Sequence, residues 1–232
     1  MKTVRITDSL VVALLITAVA VAAPGRPKAS DVLDAVQKNY SSINDYRVDM
    51  TVSVKSQEVH ISNNKATVYY KKPDKVKVAA KEGFAVLPKT FAGNPVAEIR
   101  KNFTAVYDCA DKIGKEPVHV LKLKPKTTRA GGSMKLYVEK RRGLILKTLT
   151  EASGMKMTSS WSYKKVDGKY WLPSRIKIDM NGMESGRKPG HHKGREVPQA
   201  AGSGTAEVKF SNYKINKGIP DKVFVEKKGS VK

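Results

Sequence analysis

The sequence predicts a mainly β fold: one curved, antiparallel half-barrel sheet of about ten strands, with an N-terminal helix and a lid segment on its concave face. Three observations carry this. Residues 133–178 read as a meander. Met134-Lys135-Leu136-Tyr137-Val138, the run from Leu144 to Leu149, a Met/Thr/Trp/Tyr run and the run from Tyr170 to Ile178 are separated by Arg142-Gly143, Ser153-Gly154 and Asp167-Gly168. Within these runs apolar and polar residues alternate and β-branched and aromatic residues dominate, as in a sheet with one dry and one wet face. Helical and strand patterns do not alternate along the chain, which argues against a parallel sheet.

Taken in order, residues 1–22 have the build of a signal peptide. Lys2 and Arg5 supply a positive start, residues 10–23 are apolar except for Thr17, and Ala20-Val21-Ala22 is an A-x-A cleavage pattern. The apolar stretch is short for a spanning helix, although an uncleaved anchor stays open as an alternative. Residues 23–29 form a flexible Pro/Gly/Lys lead-in, and 30–232 form a single domain. Ser30 reads as a helix cap, followed by Val32, Leu33, Val36 and Tyr40 at helical spacing over 30–43. Tyr46, Val48, Met50, Val52 and Val54 then alternate with polar residues in the clearest strand pattern. Ser62-Asn63-Asn64 reads as a turn, followed by strands at 65–71 and 75–80.

Residues 82–101 interleave Gly83, Pro88, Gly93 and Pro95 with Phe84, Val86, Leu87, Phe91, Val96 and Ile99. An apolar loop of this kind packs over a core, either as a lid or as an ordinary connection. A hairpin follows, from 102–109 to 118–124. Residues 181–204 are nearly free of apolar side chains and read as a long mobile loop. A last strand spans 205–215, and the tail is expected to pin Val223 or Val225 to the sheet edge.

The order and spacing of several segments resemble the periplasmic outer-membrane lipoprotein carriers and lipoprotein-sorting proteins. They are the lead-in helix with the 46–54 strand, Tyr70-Lys71-Lys72-Pro73-Asp74-Lys75-Val76, and Val118-His119-Val120-Leu121-Lys122-Leu123-Lys124-Pro125. Gly143-Leu144-Ile145-Leu146-Lys147, Val166-Asp167-Gly168-Lys169-Tyr170-Trp171-Leu172-Pro173 and the run from Phe210 to Asp221 complete the set. The resemblance spans nearly all of the chain after residue 22. It implies a half-barrel whose concave side is closed by helices around a hydrophobic cavity for lipoprotein acyl chains. In such carriers an Arg before the strand-breaking Pro latches the lid; Lys72 stands at that place, without the planar fork of Arg. That difference and the 181–204 loop mark a divergent member.

A curved sheet with inward Val, Leu, Met and Phe presents a dry groove, and each buried methylene contributes about 0.8 kcal/mol to holding an acyl chain. The expected liners are Val48, Met50, Val52, Leu121, Leu123, Leu136 and Val138, with Phe84, Leu87 and Phe91 from the lid. A solid core has the same composition and stays the alternative. Met134, Met155, Met157, Met180 and Met183 add adaptable apolar surface.

The formal charge of +23 among 232 residues, mostly from Lys at alternate strand positions, fits a solvated outer face drawn to anionic membranes. That spread does not fit a specific nucleic-acid groove. The lone Cys109 excludes an internal disulfide and is expected to be a buried, small apolar residue. Cys109 and His119 are the one conceivable nucleophile–base pair, and no oxyanion loop accompanies them. His191-His192 lack the partners of a zinc site, and no phosphate-binding Gly loop is present, so neither metal nor cofactor is expected. The sequence thus reads as a non-enzymatic, monomeric carrier or chaperone, periplasmic or otherwise extracytoplasmic. It would bind acyl chains of lipoproteins or lipids, with a membrane-protein donor or acceptor as a possible partner. An envelope-stress sensor or regulatory interaction module on the same half-barrel is the alternative.

Overall fold

Short turns let the period-two runs pair with their sequence neighbours, and this sets the topology. The computed structural model describes residues 25–56, 59–80, 93–127, 132–152, 154–182 and 203–225. The expected signal segment, Phe84, Leu87 and Phe91 of the expected lid, and His191-His192 lie outside these residues. So does nearly all of the expected 181–204 loop.

Helix α1 (Ala29–Lys38) leads into strands β1 (Asp45–Ser56), β2 (His60–Lys71) and β3 (Lys75–Ala80). Helix α2 (Pro95–Asn102) opens a second run: β4 (Phe103–Ile113), β5 (Glu116–Pro125), β6 (Ser133–Glu139), β7 (Ile145–Ala152), β8 (Met155–Val166), β9 (Tyr170–Gly182) and β10 (Gly204–Ile215). The ten strands make one antiparallel sheet in the order β3-β2-β1-β10-β9-β8-β7-β6-β5-β4. It curves as a half-barrel and does not close. Strand β10 joins two meanders by pairing with β1 on one side and β9 on the other. The chain therefore leaves the sheet at one edge, β3, and re-enters at the other, β4, with α2 on the way.

Several local expectations are corrected. Ser62-Asn63-Asn64 is not a turn but a bulge inside β2, where the register slips between Val52 and Val54 and Asn63 takes φ of 53°. Asn tolerates that left-handed conformation better than most residues. Helix α1 is shorter than expected and starts at Ala29; Ser30 lies inside its first turn and bonds Asp31 rather than capping. Residues 95–102, expected as part of an irregular lid, form α2. Pro95 sits at its start, and the Asn94 side chain accepts the Val96 N–H at 3.0 Å, the arrangement that satisfies a free helix N-terminus. The tail ends in a 3₁₀ turn, Asp221–Phe224, and Val225 is 65% exposed. The turn itself contacts the edge strand β3 with Val223 half-buried, and Asp221, 2.7 Å from Lys71 and 3.2 Å from Lys75, adds charge pairing there.

The core divides into two clusters on the side of the sheet that carries the helices. Val32, Leu33 and Val36 of α1 and Val96 and Ile99 of α2 pack on Leu121, Leu123, Leu136, Val138 and Ile145. Tyr40 and Ile43, just past α1, pack with inward residues of β1, β2, β9 and β10. The helices are tied together by Arg100–Asp34 at 2.6 Å and by Asn94 donating to Gln37 at 2.9 Å.

Helix α1 is also anchored to the β6–β7 turn. Asn39 donates to the carbonyls of Arg142 (2.9 Å) and Gly143 (3.2 Å). The turn is held from below by Glu139, only 1% exposed, which accepts the Arg141 and Arg142 backbone N–H groups at 2.9 Å each and the Arg142 guanidinium at 3.2 Å. Burial alone pushes this carboxyl up, but the two N–H groups and the guanidinium outweigh it and hold it below its ordinary value. Glu139→Gln leaves one acceptor oxygen for three donors and is expected to cost about 1–3 kcal/mol. A depressed folded value stabilises fully above the unfolded value, near ~4.3, and the benefit is lost as pH falls through the folded value. Thermal unfolding from pH 7 to pH 3 should therefore steepen for the parent relative to Glu139→Gln. Parallel profiles would contradict the assignment.

Candidate functional site

Strand register places the inward residues in rows that cross the sheet. One row runs Ala105, Leu123, Met134, Thr150, Met157, Met180. The next runs Tyr107, Leu121, Leu136, Thr148, Ser159, Ile178, Ala206, Val54, Ile61. A third contains Trp161, Ile176, Val208 and Val52. The expected liners Val48, Met50, Val52, Leu121, Leu123, Leu136 and Val138 all fall on this face and all are buried. They do not share one cluster. Leu121, Leu123, Leu136 and Val138 lie beneath α1 and α2, while Val48, Met50 and Val52 belong to the other cluster.

Between them stands a residue outside the expected liners. Trp161 packs against both clusters. Its signal is the alternation Met155, Met157, Ser159, Trp161 along β8, which puts all four on one face. Around Trp161 the structure is tight: the void bounded by Tyr40, Tyr46, Pro95, Trp161, Phe210 and Tyr213 holds about 10 Å³, at the lower limit for a single water. Here Tyr46 accepts the Gly93 N–H at 2.8 Å, and its ring lies 5.2 Å from Tyr70 and 5.9 Å from Tyr213. Burial pushes the phenols of Tyr40, Tyr46 and Tyr213 well up, so they stay neutral hydrogen-bonding groups.

Away from the helices the same face is looser. Met134, Met157 and Met180 are only partly buried and pack on the flanks of the two clusters. At the strand ends beyond Ile178 an open recess of about 450 Å³ is lined by Val54, Ile61, Ile178 and Ala206, with polar neighbours including Lys55 and His60. That volume falls in the ~300–1,000 Å³ range of small-ligand sites. A second recess of about 690 Å³ is more polar. Its Asp49 already accepts hydrogen bonds from Thr67 (3.3 Å) and Asn212 (3.0 Å), so it lacks the character of an acyl site.

Lys72, the expected latch, donates from Nζ to the Ser41 carbonyl and from its backbone to Asn44 at 2.8 Å. Both acceptors lie in the link between α1 and β1. Cys109 is exposed, not buried as expected. A bulge at Asp108 turns Cys109 to the outer face opposite Val120, while His119 stays inward opposite Val138. The inward neighbour of His119 is the Tyr107 hydroxyl, 3.3 Å from Nδ1. Cys109 and His119 therefore point to opposite faces and form no nucleophile–base pair. Among the described residues no cluster of three or more His, Cys, Asp or Glu side chains is placed to hold a metal ion, and no helix is long and apolar enough to cross a membrane.

The outer face carries the basic residues, partly offset by carboxylates. Lys122 and Lys135 flank Asp108 at 2.8 and 3.6 Å, and Lys209 and Arg175 flank Glu207 at 3.0 and 3.3 Å. Hydrogen bonds from Lys122 and Lys209 hold these two carboxyls below the usual range.

No protein-family model and no curated protein sequence matches the chain. Solved structures do. A LolA superfamily protein from Nitrosomonas europaea superposes with a TM-score of 0.55 at 13% identity, covering 86% of this chain and 98% of that one. An outer membrane lipoprotein-sorting protein domain, so described, from Vibrio parahaemolyticus gives 0.53 at 13% identity, with 84% and 97% covered. A DUF1329 family protein from Desulfovibrio piger gives 0.52 at 11% identity, with 85% and 97% covered. The resemblance read from the sequence therefore holds at the level of the fold.

Proposed function

We propose that this protein is a non-enzymatic, extracytoplasmic carrier that shelters acyl chains of lipoproteins or lipids on the concave face of its sheet. The observation that carries the reading is the partly buried row Met134, Thr150, Met157, Met180, beside a packed core; the next row ends in Ile178, Ala206, Val54 and Ile61, which line the 450 Å³ recess. Unbranched Met side chains re-pack around a flexible chain at low cost. The two short helices cover the β4–β7 part of the face. The fold shared with a LolA superfamily protein and with a domain described as lipoprotein-sorting supports the same reading. The signal-like residues 1–22 support export, and the charge of +23 supports docking at an anionic membrane that weakens with salt.

In this reading a chain enters over the methionine row. Lys72 steadies the α1–β1 link as the helices shift, and Leu121, Leu123, Leu136 and Val138 are exposed to lipid only when α1 and α2 move. Native mass spectrometry with lipid extraction, on protein purified from its own envelope, is expected to find bound diacyl species. Met157→Glu, at a partly exposed position, should keep the fold yet lower lipid uptake at least about tenfold, because a carboxylate must be desolvated against the chain. Undiminished uptake by folded Met157→Glu would sink the proposal. A lipid-free mass with a tightly bound protein partner would favour the interaction-module alternative.

A further inference from the structure

The inward face of β7 and β8 carries the hydroxyls of Thr148, Thr150 and Ser159 among mostly apolar neighbours. Thr150 follows Met134 in its row, and Ser159 stands opposite Thr148 in the next. Ser159 is 1% exposed, and neither Ser159 Oγ nor Thr150 Oγ1 has a hydrogen-bond partner among the described residues. Buried hydroxyls are normally paired, because leaving one unpaired forfeits its hydration. Thr150 and Ser159 are diagonal neighbours on adjacent strands, about 7–8 Å apart at the backbone. Thr150 belongs to the methionine row and Ser159 to the next row, which also holds the helix-covered Leu121 and Leu136, so the pair spans the border that an inserted chain would cross.

Resting on the carrier reading, we propose that Thr150 and Ser159 form a clasp that donates hydrogen bonds to the ester carbonyls of a diacylglyceryl ligand, fixing how deep the chains insert. An ester carbonyl only accepts, and a hydroxyl with no other acceptor is free to donate to it. A hydrocarbon chain satisfies neither hydroxyl, so the pair discriminates by chemistry rather than by volume. Sites built around hydrogen bonds reject analogues that lack the partner more strongly than apolar pockets reject size variants.

The test compares the diester dioleoyl-phosphatidylglycerol, its diether analogue and a synthetic diacylated lipopeptide, by equilibrium binding to the whole protein. The parent should prefer diester over diether about tenfold, the effect of one or two hydrogen bonds. In Thr150→Val/Ser159→Ala that preference should vanish through weaker diester binding, while diether binding and melting temperature hold or rise. Thr150→Ser, which keeps a hydroxyl, should retain most of the preference. The lipopeptide, measured beside the phospholipid, separates a lipoprotein source of the esters from a membrane-lipid source. Equal diester and diether binding by the parent, or a preference unchanged in the double variant, would overturn the clasp and leave the carrier reading standing. A parent that binds none of the three probes would overturn both.

Discussion

Gly143→Ala is expected to destabilise the protein by about 3 kcal/mol, combining the left-handed penalty of about 1–2 kcal/mol for a non-Gly residue with an overpacking cost of about 1–3 kcal/mol. Gly143 has φ of +67°, and a Cβ there would stand 2.6 Å from the carbonyl carbon and oxygen of Ala35 in α1. Backbone cannot swing aside as a flexible side chain can. Relief requires α1 to lift, which would strain the Asn39 bonds to this turn and part Val32, Leu33 and Val36 from the sheet. Gly154→Ala is the control: its φ is +72°, yet nothing lies within 4 Å of the added Cβ. It should show the conformational penalty alone. At about 2–4 °C per kcal/mol for a domain of this size, melting should fall by roughly 6–12 °C for Gly143→Ala and by only about a third to two thirds as much for Gly154→Ala. Equal losses would mean that α1 is not held down at Gly143.

That dependence also shows what the sequence discloses and what it hides. Arg142-Gly143 is legible as a hairpin break, because Gly between two alternating runs is a local signal. The contact with Ala35 is not, since it joins segments more than a hundred positions apart. Strand β1 was readable for the same local reason, with Tyr46 to Val54 alternating without interruption. Where a bulge breaks the period, alternation misassigns faces. The extra residue at Asp108 sends Cys109 outward, and Asn63 looks like a turn although the strand continues through it. Helix α2 had a signal, Asn94 capping before Pro95, but the surrounding Gly and Pro made the stretch read as loop. For the candidate site, the inward positions of Leu121, Leu123 and Leu136 followed from periodicity. Their burial beneath two helices did not, because a groove liner and a core residue have the same chemistry.

Leu136→Ala is the substitution that separates those two roles. Leu136 is 1% exposed, pairs with Leu121 on one side and Thr148 on the other, and sits in the cluster under α1 and α2. Truncation should cost about 2–5 kcal/mol in the lipid-free protein, through lost burial and the cavity left behind. If the cluster is only a core, lipid bound elsewhere raises the melting temperature of the variant no more than that of the parent. If the helices open over an acyl groove, a chain can fill the space that Leu136 vacates. Ligand that binds only the folded state then stabilises by RT ln(1 + [L]/Kd). The variant should gain more on saturation with a diacyl lipid than the parent does, because its bound chain recovers contacts that the truncation removed. Differential scanning calorimetry with and without lipid reads both terms. A larger lipid-induced shift in Leu136→Ala than in the parent would mean that the side chain occupies ligand space in the empty protein. An equal or smaller shift would leave these residues as core and confine any acyl chain to the methionine row and the recess at the strand ends.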